Sequence, residues 1–527
     1  MPAWAITAVL GLAYVIAAPA SADLAAASYR SYLFGREGFA LWDNAWYAGH
    51  HLPAYSVLAP ALGWLLGPQL LAALSMTAAA ALFGALIDGH FPPAATRIAA
   101  WWFALGAAIA LLSNRVPFDL GLALGLGALL LARRGRHAPA LALAGMCALA
   151  SPVAGVFLAL AALAWALAGP RAGPAALAAA ALAPIALLAL LFPEGGSEPF
   201  AASSFYPALA GVLLLALLIP RSKRALRNGA FLYAALLLGT FVTTTAVGRN
   251  AERLAPLLAG PLAACLLLDG PRAARRARLL LLLALPLIYW QAYWPVEDLL
   301  SGASDPSVSA AYYAPLLGEL RSLGALTSER PTRVEVVPTS NHWEARWLAP
   351  EVMIARGWQR QLDRYRNGLF YDGSPLAPGR YRAWLLEQAV SYVALPDAPL
   401  DYSGASEARL LRAAESAGSG RAPAYLREVW RSAHWRLFAV SDPRPLTQPP
   451  SVLTQLAGDS FTLRAPGAGA YTVRLHFTPY WALAAGHGCV RRAPGDWTQL
   501  QARGAGSLHV VIDFSPARVF DHSPRCR

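Results

Sequence analysis

The stretch from Asp23 to Ser56 reads DLAAASYRSYLFGREGFALWDNAWYAGHHLPAYS and sets carboxylates among indole, phenol and imidazole rings. A carboxylate can take the proton of a hydroxyl attacking an anomeric carbon with inversion. Aromatic rings stack on sugar faces and, by lowering the local dielectric, make a neighbouring carboxylate more basic. Asp43, inside LWDNAWYAGHH, has that setting and is the leading base. Trp46, Tyr47, His50 and His51 would then face the acceptor. Glu37 competes with Asp43, although the glycines around Arg36-Glu37 read as a turn, and Asp23 is a weaker third acid. The alternative is that Asp43 caps a short helix starting at Asn44, with the rings forming an interfacial belt.

Anion chemistry is carried by arginines. Arg249 and Arg253, in GRNAER, are suited to the oxygens of a lipid-linked phosphate, which a guanidinium can contact bidentately; snorkelling to lipid headgroups is the competing role. Arg115 joins them as a third phosphate ligand. It stands with Asp119 in SNRVPFDLG, where a mutual ion pair is the alternative. His50 and His51 are adjacent and cannot readily face one metal. No metal site is expected; if a divalent ion serves, Mg or Mn on Asp43, Glu194 and Glu198 is the expected set.

The elements that must position these groups are membrane helices. Hydrophobic residues make up 57% of the 527-residue chain and charged residues only 14%, too little charge to cover a soluble protein of this size. The net charge of +13 does not point to nucleic acid, because much of it lies in short loops between apolar spans, as orientation signals do. About eleven spans are expected, beginning near Ala3–Ala20, Val57–Ile87, Ile98–Leu112, Pro117–Ala132 and Pro139–Leu149. They continue with Val153–Ala168, Ala175–Phe192, Pro207–Pro220, Phe231–Ala246, Leu254–Asp269 and Leu279–Trp294. This threading puts Arg133/Arg134/Arg136, Arg171, Arg221/Lys223/Arg224/Arg227 and Arg272/Arg275/Arg276/Arg278 on one face, the cytoplasmic one. The N-terminus is then inside and the C-terminal region outside. The Ala-Ser-Ala before Asp23 resembles a signal-peptidase site, but no positive residues precede the apolar core, and an uncleaved first helix is favoured.

Residues 1–294 thus form a transmembrane domain with a large first external loop, 21–56. Beyond it, strands at Arg333–Pro338, Ser391–Pro396 and His434–Val440 alternate with helices, which suggests an extracytoplasmic α/β domain over 295–445. Residues 451–527 read as strands only and suit a small β-sandwich. Cys489 and Cys526 lie in this external region, where an oxidising compartment permits a disulfide. The segments NHWEARW (341–347) and ARGWQRQLD (355–363) either line a carbohydrate cleft or dock this region onto the membrane part.

A first helix, a long external loop with an acid among aromatics, about eleven spans and an external C-terminal region resemble the GT-C class of membrane glycosyltransferases. The SNRVPFDLGLALGLGALLL segment is similar to YfhO-like and actinobacterial members. The resemblance implies a multi-pass protein of the bacterial plasma membrane that moves sugar from a polyprenyl-phosphate donor to a cell-envelope glycan. It carries over one position, the first-loop acid, here Asp43; the second acid common in such pairs is replaced by Asn44. A membrane scaffold with a carbohydrate-binding external domain is the alternative, with a transporter or flippase behind it.

Overall fold

The computed structural model describes residues 1–169, 172–270, 273–327, 331–416, 423–515, 518–519 and 526. Arg171 and Arg272 lie outside them. The chain divides into two compact units, Met1–Gly38 with Pro53–Ser304, and Phe39–Leu52 with Asp305–Arg527.

The first unit is helical: α1 (Trp4–Ala17), α2 (Ala22–Glu37), α3 (Ala59–Leu66), α4 (Pro68–Ile87), α5 (Pro93–Ala110), α6 (Val116–Arg133), α7 (His137–Ala150), α8 (Pro152–Ala166), α9 (Ala172–Leu191), α10 (Ala202–Leu218), α11 (Arg224–Val242), α12 (Leu254–Leu267) and α13 (Ala273–Ser304). Among the described residues six helices are long and apolar enough to cross a membrane, and α1 with α2, bent by 77°, would make a seventh. Three more, α7, α8 and α10, are apolar but shorter. Their outward side chains suit lipid: Leu190, Leu217, Leu281, Leu282 and Leu285 are all at least 75% exposed, which water would penalise.

Several expected boundaries move for identifiable reasons. The expected Val57–Ile87 span is two helices, broken where Gly67 takes φ +83° before Pro68. The last expected span, Leu279–Trp294, lies within a longer helix. The helix runs through Pro295 to Ser304, because hydropathy marks a change of solvent and not a helix end.

The basic loops gather at one end of the unit. Arg133 donates to the carbonyls of Leu86 (2.6 Å) and Asp88 (3.1 Å), satisfying acceptors left open at the C-terminus of α4. Lys223 donates to the carbonyl of His90 and pairs with Asp269 at 3.3 Å.

The expected external loop 21–56 is not one segment. Residues 22–37 are α2, in the first unit, whereas 39–52 belong to the second. There Trp42–Asp43 (β1) and His50–His51 (β2) pair antiparallel, Trp42 opposite His51 and Asp43 opposite His50. The second unit continues with α14 (Ala310–Ser322), β3 (Arg333–Val336), α15 (Glu344–Trp347), β4 (Met353–Ile354), α16 (Arg360–Arg366), α17 (Pro378–Glu387), β5 (Val390–Pro396), α18 (Ala405–Ser416), β6 (Leu426–Arg431) and β7 (Trp435–Val440). Its sheet has the order β4-β3-β5-β7-β6, with β4, β3 and β5 parallel and β7 and β6 antiparallel.

The remaining strands are β8 (Val452–Leu456), β9 (Ser460–Ala465), β10 (Gly469–His476), β11 (Trp481–Ala485), β12 (Gly488–Ala493), β13 (Trp497–Ala502) and β14 (Gly506–Ile512). They form two antiparallel sheets, β11-β14-β9-β8 and β10-β13-β12, around a core of Phe461, Leu463, Val473, Leu500 and Val510. Trp42 enters this core. Cys489 and Cys526 are bonded, with Cα atoms 5.3 Å apart.

Candidate active site

The site is built around a tight turn between α5 and α6. Asn114 takes φ +54°, a left-handed conformation that asparagine tolerates better than most residues. Its side chain accepts from the Tyr14 hydroxyl of α1 and donates to Ser21 Oγ at 3.1 Å. Ser21 Oγ also donates to the carbonyl of Ser113 at 3.2 Å. The turn therefore fixes the start of α2. Asp23, in the first turn of α2, comes to lie 3.6 Å from Arg115 Nε. The same turn sends Ser113 Oγ to Asp298 at 2.5 Å.

Arg115 is also part of the wall of a cavity of ≈ 190 Å³ that includes Asp119, Glu198, Arg249, Glu252, Arg253, Trp290 and Trp294. That space is large enough to hold several waters. The second wall is the turn Gly248–Arg253. Tyr233 pins it, donating to Ala251 O at 2.7 Å and accepting from Ala255 N at 3.2 Å. Gly248, at φ +42°, has no Cβ to collide with the Glu198 carbonyl, which such an atom would meet at 1.7 Å.

The arginines are held by rings. Arg249 lies 4.3 Å over Trp294 and Arg253 5.6 Å from the centre of Phe118. Burial pulls the Arg253 guanidinium below its ordinary range, and Arg115 beside it adds to the effect; an anion in the cavity would relieve both. Burial raises the Glu252 carboxyl, which accepts from the Trp290 indole at 3.2 Å. Tyr55 belongs to the same neighbourhood. Arg30 lies 4.0 Å over its ring, and burial raises its hydroxyl, Asp23 adding to the shift while Arg30, Arg253 and Arg115 oppose it.

The structure thus brings together the three expected phosphate ligands, Arg115, Arg249 and Arg253. Arg115 pairs with Asp23 and not with Asp119 as the alternative had it; Asp119 is buried and its Oδ2 accepts no hydrogen bond among the described residues.

The expected base and acceptor set lies elsewhere, in the second unit. Asp43 is fully buried, and its Oδ1 accepts from Ala45 N at 2.9 Å, an aspartate turn of the local capping kind. Trp46, Tyr47, His50 and His51 offer no acceptor surface, being at most 5% exposed. Trp46 stacks on His50 at 5.6 Å and donates to Ala345 O at 3.2 Å. Tyr47 accepts from Gln359 N at 3.0 Å, and His51 meets Thr478 at 3.0 Å. The physical reason is that the hairpin is threaded through a core, with Asn44 N on Gly458 O and Ile354 N on Ala45 O. Glu37 is exposed at the far end of α2, roughly 21 Å along the helix from Asp23 at 1.5 Å per residue.

Among the described residues no group of three or more His, Cys, Asp or Glu side chains is gathered as a metal ion would need. From sequence, Asp23 ranks as a weaker third acid, and Arg30 and Tyr55 are not singled out. The available signal was position: an acid opening the first polar helix directly after the first apolar span.

No family model matches the chain, and no curated protein matches it. Among solved structures it is similar to the cryo-EM structure of arabinofuranosyltransferase AftD from Mycobacteria. The identity is 18% and the TM-score 0.45, over 88% of this chain and 42% of that one. The chain therefore spans less than half the length of that protein.

Proposed function

We propose that the chain is an integral membrane glycosyltransferase that takes a sugar from a polyprenyl-phosphate donor and passes it to a glycan acceptor of the cell envelope. The observation that carries this reading is the pairing of Asp23 with Arg115 at the wall of an arginine-lined cavity in the helical unit. Asp23 is 32% exposed, so its carboxylate has a face to offer a hydroxyl.

In the reaction, a carboxylate oxygen of Asp23 takes the acceptor proton as the acceptor oxygen attacks the anomeric carbon. The bond from that carbon to the phosphate oxygen breaks, and polyprenyl phosphate leaves with the electron pair. Arg115, Arg249 and Arg253 stabilise the charge that collects on the leaving phosphate, as preorganised donors do in a site with little water. Asp43 holds its hairpin and stays out of the chemistry.

Orientation follows from charge. The cavity is built from the Ser113–Arg115 turn and the Gly248–Arg253 turn, the connections on the other side of the bundle from Arg133 and Lys223. The positive-inside rule places those basic loops in the cytoplasm and the cavity outside it. The likeness of residues 113–131 to YfhO-like and actinobacterial members is compatible with this reading.

Protein reconstituted in liposomes with a polyprenyl-phosphate-sugar donor and a glycan acceptor tests the proposal. Covalent transfer that falls when Arg115 or Arg253 is replaced by Ala supports it. Movement of sugar across the bilayer without a new glycosidic bond would make the protein a transporter.

A further inference from the structure

The second unit carries a polar and aromatic cluster that the proposed reaction does not use. Strands β4, β3 and β5 run parallel, so the segments that leave their C-terminal ends emerge at one end of the sheet, where open α/β sheets bind ligands. Those segments supply Trp358 and Arg360 after β4, His342 after β3, and Asp401 and Tyr402 after β5. His342 stacks on Trp358 with ring centres 3.6 Å apart and faces Glu344 at 3.2 Å and Asp401 at 3.4 Å. Arg360 grips Asp401 with two nitrogens, at 2.8 and 2.6 Å, and lies 4.7 Å over the ring of Tyr402. Tyr371 meets Tyr402 edge-on at 5.8 Å.

One member of this frame faces water. Tyr402 is 59% exposed although it is backed by the guanidinium and edged by Tyr371. A ring held this way is a rigid, low-entropy contact surface, and its open face matches the apolar C–H face of a sugar. The charge of Arg360 is already matched by Asp401, so the site has little to gain from an anion. We propose that this end of the sheet is a second glycan-contact site that takes a neutral oligosaccharide against Tyr402, with Tyr371 and Arg360 at its edge. The choice of ligand class rests on the reading of the chain as a protein that modifies glycans.

The test is saturation-transfer NMR on the full chain in lipid nanodiscs, using neutral pentose and hexose oligosaccharides and a sulfated oligosaccharide for comparison. A neutral oligosaccharide should give a signal that Tyr402→Ala weakens roughly tenfold and that Tyr402→Trp, which keeps a ring over Arg360, retains. No signal from any neutral oligosaccharide, no change in Tyr402→Ala, or preference for the sulfated one overturns the proposal. Asp23→Asn separates the two sites: it should stop transfer from the lipid donor and leave this binding intact. Loss of the glycan signal in Asp23→Asn would put the ligand in the cavity and overturn the second site.

Discussion

Asp23 and Asp43 belong to one polar stretch between two apolar runs, yet they serve different units. Asp23 opens α2, stays a third exposed, and pairs with an arginine that lines a cavity. Asp43 is fully enclosed in a hairpin and spends an oxygen on Ala45 N. An aromatic surrounding therefore does not by itself mark a carboxylate as reactive. Access and a cationic neighbour are what the proposed base, Asp23, has in addition. The contrast predicts that damage at the hairpin is read in the stability of the second unit, and damage around Asp23 in donor binding and turnover.

The largest effect expected is from Trp42→Ala. Trp42 is 1% exposed in the sandwich core, 5.8 Å from Trp481 and 4.7 Å from His51 between ring centres. Its removal should cost the second unit about 3–5 kcal/mol, seen by calorimetry as a lowered transition for that unit, with the helical unit's transition unmoved. Equal loss in both would break the division of labour.

Next comes the cavity. Arg253→Ala should remove about 1.5–3 kcal/mol of charge-assisted contact, weakening polyprenyl-phosphate binding tenfold to over a hundredfold with little change in unfolding. Unchanged donor affinity would remove Arg253 from the phosphate site.

The second unit should also respond to pH. Glu335 and Glu407 are fully buried near Arg356. Burial pushes the Glu407 carboxyl up to about 7 and Glu335 well above the usual carboxylate range. Folded, both hold protons that the unfolded chain has released above its ordinary carboxylate pKa, so their contribution is fully present below about 4.5 and is lost as pH rises, that of Glu407 through about 7. Thermal unfolding of this unit at pH 5 and pH 8 should show lower stability at pH 8, and Glu335→Gln should flatten the difference. A rise in stability toward pH 8 would contradict it.

Much of the architecture was legible because periodicity and loop charge report burial directly. Strands β3, β5 and β7 fall where β-branched and aromatic runs predicted them, and the strand-only reading of residues 451–527 matches two antiparallel sheets. Strand β6 was missed: its exposed edge at Arg431 leaves no clean alternation. Arg115, Arg249 and Arg253, expected as phosphate ligands, do line one cavity, because each stands in a short connection between apolar helices on the same face. The burial of Asp43 was not legible, because its hairpin is held by contacts some four hundred positions away, Asn44 with Ala457 and Gly458, which no local pattern encodes.

The smallest effect should come from Asp43→Ala, which loses its turn hydrogen bond to Ala45 N and should cost less than Trp42→Ala, on the order of 1 kcal/mol, measured as a lowering of the second unit's transition. A loss as large as that of Trp42→Ala would assign Asp43 more than a turn.

The central claim is tested most directly by measuring single-turnover transfer from a polyprenyl-phosphate-sugar donor in proteoliposomes for Asp23→Asn and Asp43→Asn side by side. The account predicts a loss of at least about a hundredfold for Asp23→Asn, the scale of a missing general base, and a rate within about twofold of the parent for Asp43→Asn, the scale of a change below about 0.5 kcal/mol. Full transfer by Asp23→Asn, or a collapse of transfer in a folded Asp43→Asn protein, would contradict it.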